Sequence, residues 1–243
     1  MPEGPSIVIL KEELAGFKGK KVVEATGYAK IDFDRVNGQK ITAIKSWGKH
    51  LLICFKGFTI RIHLLLFGTY RINDRKKANP TLRLIFEKGE LNFYTCAVRI
   101  IDEPLDEVYD WEADLLSDDW NHTKAMKKLG RVPDMLVCDA LLDQDIFSGS
   151  GNIIKNEVLF RIRVHPLSKV GKLTLKKRRE LVQEARRYSF DFLEWKKLNE
   201  LKKHWQAHTC KTCPRCHIPF IKEYLGTSQR RSYFCSNCQK LYE

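Results

Sequence analysis

Between Val22 and about Tyr94 the apolar positions come in short runs rich in branched and aromatic residues. Segments 41–47, 50–55, 58–66, 70–72, 81–86 and 90–94 read as strands. Lys56-Gly57 and Lys88-Gly89 read as hairpin turns between them. Consecutive short strands of this kind predict an antiparallel sandwich or barrel. Ahead of them, Ile7, Leu10 and Leu14 recur at helical spacing, with Pro5 suited to the first turn and Gly16 to the stop. After residue 120 the period changes, and 122–130, 133–142, 152–163 and 174–188 read as helices. In the last of these Leu181, Ala185 and Tyr188 form an apolar stripe, while Lys176 to Arg179 face elsewhere as a solvated surface. The acidic stretch 112–119 reads as a linker. The pattern therefore predicts an α+β multidomain chain: an N-terminal antiparallel β-sandwich with a leading helix, a helical domain, and a smaller C-terminal module.

Composition narrows what such a chain can be. With 243 residues, 43% of them hydrophobic, it can bury a sizeable core and is not a disordered segment. A net charge of +13 points to a polyanionic partner, nucleic acid first and an anionic membrane second. No apolar run reaches the roughly 18 residues of a membrane-spanning helix. The start, Met1-Pro2-Glu3-Gly4-Pro5, lacks the basic and apolar regions of a signal peptide. The expectation is an intracellular protein of the cytoplasm or nucleoid, whose eight cysteines are thiols or metal ligands rather than disulfides.

Those cysteines are unevenly placed. Cys54, Cys96 and Cys138 sit singly among apolar neighbours and read as small buried hydrophobes. Cys213-Pro-Arg-Cys216 and Cys235-Ser-Asn-Cys238 are two C-x-x-C pairs, each able to present two thiolates from one tight turn. Together they predict one tetrahedral, structural Zn2+ site closed by Cys213, Cys216, Cys235 and Cys238. Segment 217–234 between them has the length of a hairpin, with Gly226 near its middle. Cys210 leaves a second register open, because Cys210-x-x-Cys213 is also such a pair. The 213/216 register is preferred because Cys216 leads directly into the apolar segment 218–221.

Two further features could carry chemistry. Ser148-Gly149-Ser150-Gly151-Asn152 precedes a predicted helix, and glycines there let backbone N–H groups approach a phosphate. An ordinary loop with a helix cap at Asn152 explains the same residues. At the N-terminus, a methionine before proline is usually removed, which would leave Pro2 as a secondary amine. An α-amino group has a pKa of about 8, so part of it is unprotonated near neutrality. Attack by such an amine on a sugar aldehyde carbon gives a cationic iminium. Glu3 beside it is a candidate acid–base group.

Together these pieces resemble the formamidopyrimidine-DNA glycosylase / endonuclease VIII family of base-excision-repair enzymes. The resemblance runs the length of the chain. It rests on Met1-Pro2-Glu3-Gly4-Pro5, Gly48-Lys49-His50-Leu51-Leu52, Leu142-Asp143-Gln144 with Gly149-Ser150-Gly151-Asn152-Ile153, Glu157-Val158-Leu159-Phe160, and the cysteine pairs around Gln229-Arg230-Arg231-Ser232-Tyr233-Phe234. It implies a catalytic β-sandwich over 1–118, a helix–two-turns–helix domain over 119–204 and a zinc finger over 205–243. It further implies a DNA glycosylase with abasic-site lyase activity (β- or β,δ-elimination) through a Schiff base. Pro2 is the implied nucleophile, and Glu3 assists opening of the sugar ring. Lys49 lies near the lesion and holds its phosphate. Asn152, Lys155 and Arg230 are implied phosphate ligands. Leu66, flanked by Leu65 and Phe67, is the implied wedge, whereas the residues alone would make it a core leucine. The implied partner is damaged DNA, bound by a monomer with no membrane and no small-molecule cofactor.

The chain departs from the family pattern in places. Ser6 stands where the family usually has a second glutamate. Segment 94–99, Tyr-Thr-Cys-Ala-Val-Arg, replaces a loop that fills the duplex void in the formamidopyrimidine branch. Residues 188–205 leave little room for a long lesion-covering loop. Gly4 and the short chain lean toward endonuclease VIII and oxidised pyrimidines. Ser6 also feeds a rival reading, a catalytically weak or silent relative that binds damaged DNA. Charge and zinc alone would also allow a zinc-ribbon protein bound to RNA; Pro2, Glu3 and Lys49 argue against both.

Overall fold

The helical spacing of Ile7 and Leu10 is realised in α1 (Gly4–Glu13), with proline in its first turn and both apolar residues buried. Eight strands follow in a computed structural model that describes residues 2–243: β1 (Val22–Thr26), β2 (Ala43–Trp47), β3 (His50–Phe55), β4 (Phe58–His63), β5 (Thr69–Ile72), β6 (Leu82–Phe86), β7 (Glu90–Tyr94) and β8 (Ala97–Ile101). They form two antiparallel four-stranded sheets, ordered β1-β6-β7-β5 and β2-β3-β4-β8. Inward residues of both sheets and of α1 share one core, including Ile7, Leu10, Leu51, Ile53, Ile60, Leu84 and Phe93. The turn at Lys56-Gly57 pairs Phe55 with Phe58 and so fixes the register back to His50 opposite His63. Two features differ from the sequence reading. The strand predicted to reach residue 66 stops at His63, and the segment after Tyr94 forms β8, a strand that the sequence reading did not name. A short helix, α2 (Leu105–Val108), closes this first unit, Met1–Tyr109.

The second unit, Asp110–Glu243, is built from helices and a hairpin. Asn121 caps α3 (His122–Gly130) through the Lys124 N–H at 3.0 Å. The helix expected over 133–142 is only α4 (Val137–Ala140). Its start is drawn away from helical pairing, because Leu136 bridges Lys169 and the Val137 N–H bonds the Ser168 carbonyl at 2.9 Å. Helix α5 (Asn152–Arg161) is buried along nearly its whole length. Helix α6 (Leu175–Lys197), capped by Thr174, runs well past the expected end at residue 188. Its stripe continues through Phe192 to Trp195, which pack on the same core as Leu181, Ala185 and Tyr188. Strands β9 (Ile221–Leu225) and β10 (Arg230–Phe234) pair antiparallel around Gly226. The hairpin thus begins at Ile221, later than the segment 218–221 expected from sequence. No helix among the described residues is long and apolar enough to cross a membrane.

Candidate active site, nucleic-acid interface and metal centre

In the first unit, Glu3 is the residue before α1, with extended backbone (φ −120°, ψ 174°) and a fully buried side chain. Its carbonyl accepts the Ser6 N–H at 2.8 Å, so the family's second glutamate position is a first-turn serine. Pro2, directly before it, is half-buried. Met1, whose removal the chemistry implied for Pro2 requires, lies outside the described residues. Lys49 sits in the two-residue turn joining β2 to β3, where Gly48 adopts a left-handed conformation (φ 51°) and Trp47 pairs with His50.

Behind that turn lies a cluster the sequence reading missed. His50 Nδ1 is 3.2 Å from the Tyr109 hydroxyl, its ring meets His63 edge-on at 5.4 Å, and Trp47 packs on Tyr109 at 4.9 Å. Burial, reinforced by Arg61, His63 and Lys49, lowers the His50 pKa to about 3. Burial, with Lys49 and Arg61, lowers that of His63 as well. Both imidazoles are therefore neutral neighbours of a lysine at neutral pH. The pairing of His50 with His63 was deducible from the Lys56-Gly57 turn; the approach of Tyr109 had no sequence signal.

The implied wedge is not in the core. Leu64 is buried, but Leu65, Leu66 and Phe67 are 45%, 39% and 81% exposed. Leu65 is left-handed (φ 54°), and the Gly68 N–H closes the loop onto the Leu64 carbonyl at 2.7 Å. A Cβ at Gly68 would strike that carbonyl. The core-leucine reading of Leu66 is thus overturned, because the tight turn lifts three apolar side chains off the sheet. Between β7 and β8 only Thr95 and Cys96 intervene, so no loop projects there.

In the second unit, Gln144 scaffolds the glycine loop: its Oε1 accepts the Gly149 N–H at 3.1 Å and its amide donates to the Leu142 and Ser150 carbonyls. Gly151, not Asn152, is the residue before α5. Asn152 Nδ2 donates to the Arg231 carbonyl at 3.0 Å, while its buried Oδ1 and the hydroxyls of Ser148 and Ser150 have no hydrogen-bond partner among the described residues. Lys155 differs from the expectation of a phosphate ligand. It is fully buried, and its ammonium donates to Ser232 Oγ at 2.8 Å and to the Arg231 and Arg230 carbonyls at 3.4 and 3.5 Å. These bonds tie its ammonium to β10. Asn156, missed from sequence, completes this face: it donates to the Asn152 and Arg231 carbonyls and accepts the Tyr233 N–H at 3.0 Å. The i, i+3, i+4 spacing of 152, 155 and 156 signals one shared helix face. Arg230, at the start of β10, is exposed. Arg231 lies over the Tyr224 ring and donates to its hydroxyl at 2.6 Å.

The sulfur atoms of Cys213, Cys216, Cys235 and Cys238 lie within 4.8 Å of one another and could hold a metal ion. Cys54, Cys96 and Cys138 are buried, and Cys210 donates instead toward the Trp205 and His208 carbonyls. Burial and the neighbouring thiols Cys235, Cys213 and Cys216 push the Cys238 pKa up to about 12. A divalent cation would relieve that crowding by binding all four as thiolates, so the donor set fits a soft tetrahedral metal. Glu157 ties the approach to this cluster to α5. Its buried carboxylate accepts the N–H groups of Gln206, Ala207 and His208, the last at 2.7 Å, although burial raises its pKa.

Comparisons with known proteins bear on the family and the fold. A family model described as the formamidopyrimidine-DNA glycosylase N-terminal domain matches residues 1–99, and one described as the formamidopyrimidine-DNA glycosylase H2TH domain matches 113–189. Endonuclease 8-like 3 of Mus musculus is 30% identical over 213 residues, covering 84% of this chain and 35% of that protein. Endonuclease 8-like 2 of Bos taurus is 35% identical over 197 residues, covering 74% of this chain and 58% of that protein. The chain thus spans little more than a third of the first relative and under two thirds of the second. The fold is that of Lactococcus lactis formamidopyrimidine-DNA glycosylase, solved non-covalently bound to DNA containing an abasic site, with TM-score 0.85 at 21% identity over 98% of this chain and 99% of that one. A viral DNA glycosylase superimposes equally well, with TM-score 0.85 at 18% identity over 98% of this chain and 100% of that one.

Proposed function

The chain belongs to the formamidopyrimidine-DNA glycosylase / endonuclease VIII family of DNA-repair proteins, and on that premise we propose that it excises oxidised bases, pyrimidines first, and then cleaves the abasic strand. The observation that carries this reading is the placement of Pro2 directly before a fully buried Glu3 at the head of α1. With Met1 removed, the Pro2 nitrogen lone pair attacks C1′ of a flipped nucleotide. The C1′–N bond breaks and its electron pair leaves with the base, which takes up a proton. Glu3 delivers a proton to the sugar ring oxygen as the C1′–O bond opens, which leaves an iminium joining Pro2 to C1′. The iminium draws electrons from C2′, which loses a proton as the 3′ phosphate departs. The 5′ phosphate follows if a second elimination occurs. The Lys49 ammonium, at its hairpin tip, holds the phosphate of the extruded nucleotide.

Flipping costs a few kcal/mol of lost stacking and pairing. The exposed Leu66, with Leu65 and Phe67, is suited to fill the vacated space. Asn152 and Arg230 supply phosphate contacts in the second unit, while Lys155 acts indirectly, by fixing the strand that carries Arg230. The metal of the four-cysteine cluster is zinc and structural, because four protein ligands leave no open position.

A second reading, a damaged-DNA-binding protein of little activity, is favoured by Ser6, a hydroxyl where the family pattern that the chain resembles usually has a second glutamate. Borohydride trapping separates the two. Protein shown by mass spectrometry to begin at Pro2 is incubated with an abasic-site duplex and borohydride. The expected result is a covalent protein–DNA adduct that Pro2→Gly abolishes or slows at least tenfold. Tight binding without any adduct from the wild type overturns the enzymatic reading.

A further inference from the structure

The turn between β9 and β10 is seated on a carboxylate from the helical part of the same unit. The Thr227 N–H donates to Asp139 Oδ2 at 3.0 Å and the Ser228 N–H to Oδ1 at 3.2 Å. Gly226 is left-handed (φ 73°), and a Cβ there would overlap the same carboxylate, so the turn backbone lies directly on it. Within the turn the Gln229 amide closes onto the Gly226 carbonyl at 2.7 Å. Leu225, just before the turn, packs against the helical core. Arg230 is the next residue after the turn and pairs across the hairpin with Leu225. Lys155, Asn152 and Asn156 hold residues 230–233 from α5, and Asp139, on α4, holds 226–228.

We infer that Asp139 is a positioning residue for Arg230: its carboxylate fixes the turn and thereby the point from which the guanidinium reaches a DNA phosphate. The inference rests on the proposed phosphate contact of Arg230. Hydrogen bonds to an ionised acceptor are stronger and shorter than neutral ones, so two of them from adjacent N–H groups fix the backbone direction. The location makes the sign of the effect informative. A carboxylate close to bound DNA repels phosphate, so as a bare charge Asp139 weakens binding; as a positioning residue it strengthens binding.

The test measures affinity for a duplex carrying a tetrahydrofuran abasic analogue across a range of salt concentrations. The variants are Asp139→Ala, Asp139→Asn, Arg230→Ala and the double variant Asp139→Ala/Arg230→Ala, each checked for metal content and unfolding midpoint. Asp139→Ala is expected to weaken binding about fivefold and to flatten the log–log salt slope by about 0.9, the value for one phosphate contact. In the Arg230→Ala background it should have no further effect, because the two act as one unit. Asp139→Asn keeps the shape and one acceptor oxygen but sets its NH2 against the second backbone N–H, so its loss of affinity should be intermediate, and it provides the comparison if the alanine variant folds poorly. Tighter binding by both Asp139 variants, or additive losses in the double variant, overturns the inference and leaves the Arg230 contact standing. An unchanged affinity and salt slope in Arg230→Ala overturns the phosphate contact itself. A loss explained wholly by lost metal or a lowered midpoint, with the salt slope unchanged, assigns Asp139 to folding alone and also overturns the inference.

Discussion

Lys155 is a lysine whose charge works inside the protein. Its ammonium is buried against Ser232 and two carbonyls of β10, so removing it takes a donor from a buried polar site, where the Arg231 carbonyl keeps Asn152 and Asn156. Lys155→Ala is expected to cost about 3 kcal/mol, the scale for breaking a buried charged contact, and Lys155→Met less because the volume is kept. Urea unfolding of the metal-loaded protein measures both, and a cost below about 0.5 kcal/mol for the alanine variant would mean that the bonds to β10 do not form in solution. His50 makes the opposite kind of statement. It binds its proton far more weakly in the fold, with a pKa of about 3, than in an unfolded chain, where the value is 6.5. Between those two values the unfolded state takes up a proton that the folded state refuses, so stability falls as pH drops through that window and is untouched above it. The stability of His50→Gln should therefore decline less steeply than that of wild type between pH 6 and pH 4. Parallel acid-unfolding curves would show that His50 titrates normally.

The elements differ in how far they could be read from sequence, and the reasons are local. Strands β3, β4, β6 and β7 were legible because Lys56-Gly57 and Lys88-Gly89 mark their turns and branched residues fill them. The end of β4 was not, since Leu64-Leu65-Leu66-Phe67 is as apolar as a strand; only the overlap that a Cβ at Gly68 would make with the Leu64 carbonyl shows that the chain must turn. The second half of α6 was hidden by its aromatic residues, which lower helix propensity although Tyr188, Phe192 and Trp195 keep the helical stripe. The spacing of 152, 155 and 156 puts them on one helix face, although the sequence reading did not single out Asn156; that this face meets β10 rather than solvent depends on pairing 75 or more residues away. The cysteine pairs and the order of motifs were legible without any of this. The loop after β4 yields a prediction of its own. Leu66 is exposed, so Leu66→Ala should change stability by no more than about 0.5 kcal/mol while reducing base excision from duplex DNA about tenfold or more. Gly68→Ala should reproduce the loss of excision by reshaping the loop, and should also cost about 1–3 kcal/mol of stability from the backbone overlap. Equal stability losses in the two variants would return Leu66 to the core.

At the scale of the whole chain, two units with separate cores share out the residues of the proposed chemistry. The first carries Pro2, Glu3, Lys49 and the apolar loop; the second carries Asn152, Arg230 and the cysteine cluster. A metal that binds only the folded second unit stabilises that unit by mass action and contributes nothing directly to the first. Stripping the proposed zinc with a chelator should therefore lower the unfolding transition of the second unit and speed hydrogen exchange over 205–243, where Cys213 and Cys235 form part of a small core with Phe160, Ala207 and Phe220. Exchange in the β3 and β4 amides should stay unchanged. DNA affinity should fall with the metal, because Arg230 lies on the strand that leads into Cys235. The Pro2 amine should meanwhile remain reactive, so a high concentration of abasic-site DNA still yields a borohydride-trapped adduct, at reduced rate. Cys235→Ser should reproduce the chelated state. Cys210→Ser should keep one zinc per chain, because the Cys210 thiol points to the Trp205 and His208 carbonyls and not to the other four sulfurs. Loss of zinc in Cys210→Ser would move the ligand set to the alternative C-x-x-C register. Loss of β3 and β4 protection on chelation would show instead that the two units unfold as one, and that the metal stabilises the unit of the proposed nucleophile.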